Sequence, residues 1–217
     1  MVLANVAAED EAEFNRWYDR EHMRERVEMP GFLSAQRYVS TSGSPWKYLA
    51  LYETEGLETF RSPAYRTALA NQSAWSKSTL GKFRDPQRCV AERTAWSGYG
   101  TAAAVTLARL RPKPGKSEQL RTTLSAQLFP HLLENDALVR ASLMEADPLL
   151  SRPVPEYPAS GIDLVRPDDW FITVDAVTTD AARLQASPRL ENELVETLQP
   201  IGTFRLLWDL HRSDLSA

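Results

Sequence analysis

One order of structural signals occurs twice along the chain, and that recurrence constrains the fold more than any motif does. Val2 to Val6 is a short apolar strand segment, and Glu9 to Met29 carries a helical period ended by Pro30-Gly31. Phe32 to Val39 and Trp46 to Glu53 are rich in aromatic and branched residues. Ser42 to Pro45 separates them as a turn, which predicts a hairpin. Leu57 to Leu80 is mostly helical, and Gln87 to Ala95 closes the unit as a strand. The same order returns as strand Thr101 to Leu110, helix Lys116 to Glu134, strands Leu138 to Ala146 and Trp170 to Val177, helix Asp180 to Leu198 and strand Gly202 to His211.

Two βαββαβ units in tandem predict an α+β protein with ferredoxin-like halves, residues 1–98 and 99–217. Trp46 and Trp170 open corresponding elements, and Ser62-Pro63 and Ser187-Pro188 follow them at nearly equal spacing. Helices on one side of a sheet leave an apolar face bare. Two such faces within one chain can cover each other, with a pocket for a small organic ligand between them. The turn between the second and third strands is short in the first unit. In the second it spans Asp147 to Asp168 and holds five prolines, which reads either as a lid or as a surface excursion.

Composition narrows the partners. Net charge is −4 and neither half has a basic excess, which argues against nucleic acid. No apolar run is long enough for a membrane helix, the segment Met1 to Asp10 lacks a leader pattern, and Cys89 is the single cysteine, so a reducing cytoplasm is expected. A homodimer beyond the intrachain pair stays open.

The segment Phe14 to Glu25 carries the chemistry. At about 100° per residue, Phe14, Tyr18, Glu21 and Glu25 fall on one helix stripe, with Trp17 and His22 beside it. Carboxylates near aromatic surface are perturbed unless paired, and perturbed groups gather at functional sites. The alternative places Glu21, His22 and Glu25 in water beside Arg24 and Arg26. His22 and Glu25 form a His-x-x-Glu pair that returns as His131 and Glu134. The pair supplies two ligands and Glu21 a third, whereas stable transition-metal sites usually need three or four with more nitrogen or sulfur, so no metal is expected. His211 reads as a strand-end residue. Strand alternation puts Leu33, Ala35, Arg37 and Val39 on one face. Arg37 either looks into the barrel and needs an anion, or turns under the helix and pairs with an acid there.

The stretch Glu13 to His22, then Pro30-Gly31-Phe32 and Ala35 to Tyr38, resembles the EthD-like branch of the dimeric α/β-barrel superfamily. Tyr48 to Glu53 and Ser62 to Tyr65 extend the likeness, which covers most of residues 9–66; the second half matches in element order but not in motif. The resemblance implies a ferredoxin-like fold with a cleft over the sheet near the helix histidine. Relatives of this kind include cofactor-free cyclases, isomerases and monooxygenases as well as haem proteins, so the reaction is left open. On one reading the chain is a cofactor-independent enzyme. His22 is then the general base, Glu21 or Glu25 orients it, Arg37 stabilises developing charge, and Trp17, Tyr18, Tyr38, Trp46, Tyr48 and Tyr52 wall the pocket. On the other reading the same pocket binds a ligand without converting it, or binds haem through His131.

Overall fold

The computed structural model describes residues 1–152, 166, 168–185 and 193–215. Among the described residues, nine strands form one antiparallel sheet. They are β1 (Val2–Asn5), β2 (Phe32–Ser42), β3 (Tyr48–Thr54), β4 (Arg84–Arg88), β5 (Ala91–Gly98), β6 (Ala104–Pro112), β7 (Leu138–Ala146), β8 (Trp170–Ala176) and β9 (Val195–His211). Their spatial order is β4-β1-β3-β2-β9-β6-β8-β7-β5. The first four positions and the next four repeat one topology: the fourth strand of each unit lies beside its first, then its third, then its second. The duplication expected from the sequence is therefore present as two ferredoxin-like units.

The units do not stack as separate sheets. They join edge to edge and close on themselves. β2 pairs with the later part of β9, from Ser34 opposite His211 to Ser42 opposite Thr203. At the other end, β4 pairs with β1, whereas β5 pairs with β7. Only Cys89 and Val90 separate β4 from β5, so one kinked strand bridges the two ends of the sheet. The strand expected over Gln87 to Ala95 is this broken pair. Val90 leaves the ladder there: its N–H donates to Ser151 Oγ at 3.0 Å, and its carbonyl accepts from Asp147 N at 2.9 Å. The result is a barrel whose interior packs Leu3, Tyr38, Leu49, Val105, Leu107, Phe171 and Phe204 from both units.

Helices cover the outside. In the first unit, α1 (Glu11–Trp17) and α2 (Met23–Glu28) are joined by a π-helical turn, Tyr18–His22. Their apolar stripe, Phe14, Trp17, Tyr18, Met23 and Val27, packs on Val2, Ala35, Tyr48 and Ala50. Gly31 ends this element at φ +86; a Cβ there would stand 2.6 Å from Thr59 Oγ1, so glycine is required for both reasons. The segment Leu57 to Leu80 divides into a 3₁₀ turn (Leu57–Arg61), α3 (Pro63–Ala70) and α4 (Ala74–Leu80). Ser62 and Ser73 cap α3 and α4 by accepting from Tyr65 N and Ser76 N. In the second unit, α5 (Ser117–Thr123), a π turn (Leu124–Leu128) and α6 (Phe129–Leu132) repeat the first layer. α7 is Thr179–Gln185. Helix had been expected as far as Leu198, but β9 already begins at Val195, where Pro112 pairs with it.

Register corrects two sequence landmarks. Arg37 lies opposite Ala50, and Leu143 lies opposite Ile172, in matching places of the two units. That equates Tyr48 with Trp170, not Trp46 with Trp170. Trp46 packs with the barrel core, whereas Trp170 packs outward against the helices of its unit. The two His-x-x-Glu pairs do not coincide either. The first π turn ends on His22 and the second on Leu128, so His131 stands further along its helix. Ser187-Pro188 and most of the Asp147 to Asp168 segment, with its suggested lid, lie outside the described residues. No helix among the described residues is long and apolar enough to cross a membrane.

Candidate active site

His22 is only 3% exposed, because the π turn rotates it off the solvent side and into the layer between helix and sheet. Its imidazole stacks on Trp17 with centroids 4.3 Å apart and meets Tyr18 and Tyr52 edge-on at 5.1 and 6.3 Å. Nδ1 has no hydrogen-bond partner. Burial in this aromatic box, with Arg26 and Arg37 nearby, holds its pKa well below the usual histidine value and keeps the ring neutral. The ring lines a cavity of about 50 Å³ together with Arg26, Tyr52, Phe60, Tyr65, Gln72 and Arg88.

A larger cavity of about 330 Å³ opens inside the barrel. Its apolar wall includes Leu51, Phe60, Met144, Phe171 and Trp96, and its polar wall Gln36, Arg93, Arg140, Ser142 and Thr173. Arg140 Nε donates to Asp175 Oδ2 at 3.1 Å, and burial pushes the Asp175 carboxyl up despite that partner. Gln36 Nε2 donates to Asp209 Oδ1 at 2.9 Å. The buried Ser142 Oγ and Tyr38 hydroxyl have no partner. Tyr38 keeps its proton, its pKa raised by burial first and then by Asp175. The two cavities share Met1, Tyr52, Phe60, Cys89 and Val90 as lining, so they adjoin at the kink between β4 and β5.

The other sequence candidates are placed as follows. Glu21 does not orient His22; it accepts from Ser73 Oγ at 2.5 Å and Ser76 Oγ at 2.9 Å. Glu25 lies 3.9 Å from Arg26, and burial raises its pKa. Arg37 does not face the barrel. It lies under the helix, bonded to Asp19 and Asn15, with its guanidinium 4.6 Å from the Tyr18 ring. Its partner there is an aspartate, because Asp19 stands on the π turn above β2 and both glutamates are directed elsewhere. Trp17 and Tyr18 pack beside His22. Tyr38 points into the barrel, and Tyr52 lines both cavities. Trp46 lines a minor void elsewhere in the barrel, and Tyr48 faces the helix, donating to Glu11 Oε1 at 2.5 Å. His131 stands exposed on the outer surface, paired with Glu134 at 2.9 Å. No group of three metal-ligating side chains occurs among the described residues.

Sequence reasoning missed the polar wall of the second unit. Its signal was available: Arg140, Ser142 and Met144 alternate along β7, and Phe171, Thr173 and Asp175 along β8, so each set shares one strand face.

No family model matches the chain, and no curated protein does. Solved structures match throughout its length. A presumptive monooxygenase from Lactobacillus acidophilus superposes with a TM-score of 0.63 at 9% identity, covering 97% of this chain and 94% of that one. An anthrone oxidase-like protein gives 0.64 at 7% identity, with 97% and 91% covered. A presumptive monooxygenase from Fusobacterium nucleatum gives 0.57 at 7% identity, with 97% and 92% covered. At such identities the likeness is one of fold, and the fold is that of the dimeric α/β barrels, here built from one chain.

Proposed function

We propose that the chain is a member of the EthD-like branch that binds a small organic molecule in the barrel cavity and acts on it by proton transfer at His22. One observation carries this reading. A buried imidazole held in its neutral, proton-accepting form, with Nδ1 unpartnered, lines a cavity that shares its wall with a chamber large enough for a ligand. The apolar wall of Leu51, Phe60, Met144 and Phe171 suits a flat ring system, and Ser142 and Arg140 offer donors to a carbonyl or hydroxyl oxygen. An enolisable or phenolic substrate fits this lining. Proton removal would leave an enolate that isomerises, cyclises or meets dioxygen.

The names of the fold neighbours suggest a first substrate to try. Anthrone and dioxygen give anthraquinone and water, followed by quinone absorbance in aerated buffer. A lactone panel run beside it tests isomerisation. Catalysis by the intact chain, with His22→Ala slower by about a hundredfold or more, is the expected result. Equal catalysis by the two proteins would remove His22 as the base, and conversion by neither would leave a binding function only. The haem variant finds no support, because the imidazole it named, His131, stands on the outer surface away from both cavities.

A further inference from the structure

The His22 cavity has an unusual charge balance. Arg26 is 6% exposed, and its Nε has no hydrogen-bond partner. Its nearest carboxylate is Glu25, at 3.9 Å and outside the cavity lining. Arg88 also lines the space. Its Nη1 donates to the Leu150 carbonyl at 2.5 Å and its Nη2 to the Tyr65 hydroxyl at 3.2 Å, with no carboxylate partner among the described residues. Among the described residues the remaining lining is His22, Gln72, Met1, Cys89 and apolar or aromatic side chains, with no acid. Two guanidinium groups and a neutral imidazole thus line one cavity, and one nitrogen of Arg26 and one of His22 are without a partner. A buried cation whose closest carboxylate stands at 3.9 Å is poorly compensated, so an anion in the cavity would improve the balance. The barrel cavity is different in kind: its arginines are matched, Arg93 by Glu53 and Arg140 by Asp175.

We propose that the His22 cavity is an oxyanion site, in which Arg26 and Arg88 hold, beside His22, the carboxylate of an organic acid whose ring lies toward the barrel cavity. This rests on the reading of the His22 region as the reactive end of a small-ligand site. About 50 Å³ holds a carboxylate but no ring, since a water needs about 10–15 Å³ of such space. Arg26 and Arg88 supply charge-assisted donors, and Gln72 supplies an amide. The carboxylate could also arrive as a free small oxyanion, which the test separates.

The probes are 1-naphthoate, 1-naphthamide and formate, titrated calorimetrically into the full chain and into Arg26→Met and Met144→Trp variants. The expected result is that naphthoate binds about tenfold or more tighter than the isosteric amide, and that Arg26→Met removes this preference. Arg26→Met should keep or raise the melting temperature, because a buried, poorly paired cation gives way to an apolar side chain of similar length. Formate that competes with naphthoate, and needs Arg26, identifies a free-oxyanion site as well; formate that fails to compete assigns the anion to the organic ligand. Amide binding as tight as naphthoate overturns the proposal, as does Arg26→Met that melts several degrees lower while binding naphthoate unchanged, or the absence of any binding by naphthoate and formate. Met144→Trp fills the barrel cavity. If it leaves naphthoate binding intact while Arg26→Met abolishes it, the oxyanion site stands and the barrel reading falls.

Discussion

Trp17 and His22 lie face to face, their ring planes inclined by only 27°. Trp17 is fully buried, and its indole N–H donates to Ser76 Oγ at 3.1 Å, so the surface against which the imidazole packs is itself fixed. A protonated imidazole would have to sit in this box beside Arg26 and Arg37.

The pH dependence of stability follows from that placement. Folding lowers the His22 pKa below its unfolded value of about 6.5, so below that pH the unfolded chain binds a proton that the folded chain refuses. The stabilising contribution of the neutral ring is therefore complete above about pH 6.5. It is lost as pH falls toward the folded pKa, at no more than about 1.4 kcal/mol per unit. Urea unfolding of the wild type and of His22→Phe between pH 7.5 and 5 should show the gap closing as pH falls, with the variant gaining on the wild type. A gap independent of pH would mean that His22 takes up its proton in the fold.

Arg37 and Asp19 should respond unequally to substitution. The Arg37 side chain is 2% exposed and that of Asp19 39%. Removing Arg37, as Arg37→Met, leaves an aspartate that water can solvate. Asp19→Ala instead strands a cation among Phe14, Tyr18 and Tyr48, with Asn15 as its remaining polar partner. Asp19→Ala should cost about 2–3 kcal/mol, somewhat below the usual range for a broken buried pair because water reaches the carboxylate, and Arg37→Met should cost less. Chemical denaturation of the two variants checks the order, and the reverse order would contradict it.

Ser76 is expected to matter more than its size suggests. Its hydroxyl is fully buried, accepts from Trp17 and donates to Glu21 at 2.9 Å. Ser76→Ala strands the indole N–H and removes one of the two hydroxyls on Glu21, a loss of about 1–3 kcal/mol. His131→Ala, by contrast, should stay within about 0.5 kcal/mol of the wild type, because an exposed pair contributes little. Melting curves of both proteins compare them directly.

Much of the fold was legible because its signals are local. Alternation marks Phe32 to Val39, Pro30-Gly31 ends a helix, and Ser62-Pro63 begins one. His22 was found for the same reason, as part of a helical stripe. What escaped depends on partners distant in sequence. Nothing near Cys89 and Val90 announces that Ser151 and Asp147 draw that segment off its ladder. Val195 to Leu198 was read as helix, but Pro112 and its neighbours on β6 hold it as strand. Arg140 and Asp175 look like surface charges until closure of the barrel buries both faces of their strands. Arg37 could be placed on a face from alternation alone, but which face met the helix required the sheet.

The closure also predicts how the first unit behaves by itself. In the whole chain β2 offers its outer edge to β9, and β5 takes the edge of β7. β7 occupies in its unit the place of β2 in the first, as the matching register of Arg37 and Leu143 shows. A fragment of residues 1–98 therefore carries an open β2 edge and also the strand, β5, that completes such an edge. Its interior side chains Leu3, Tyr38 and Leu49 would lie bare as well. An uncovered apolar face and an unpaired edge both favour association. Two copies can satisfy each other if β5 of each pairs with β2 of the other, a closed twofold arrangement. Sedimentation of the fragment should give a dimer. Trp96→Pro, which removes a β5 backbone donor opposite the position of Ser142, should shift it toward monomer or toward unfolded chain. A stable, folded monomer of residues 1–98 would show that the barrel is not what holds the unit together.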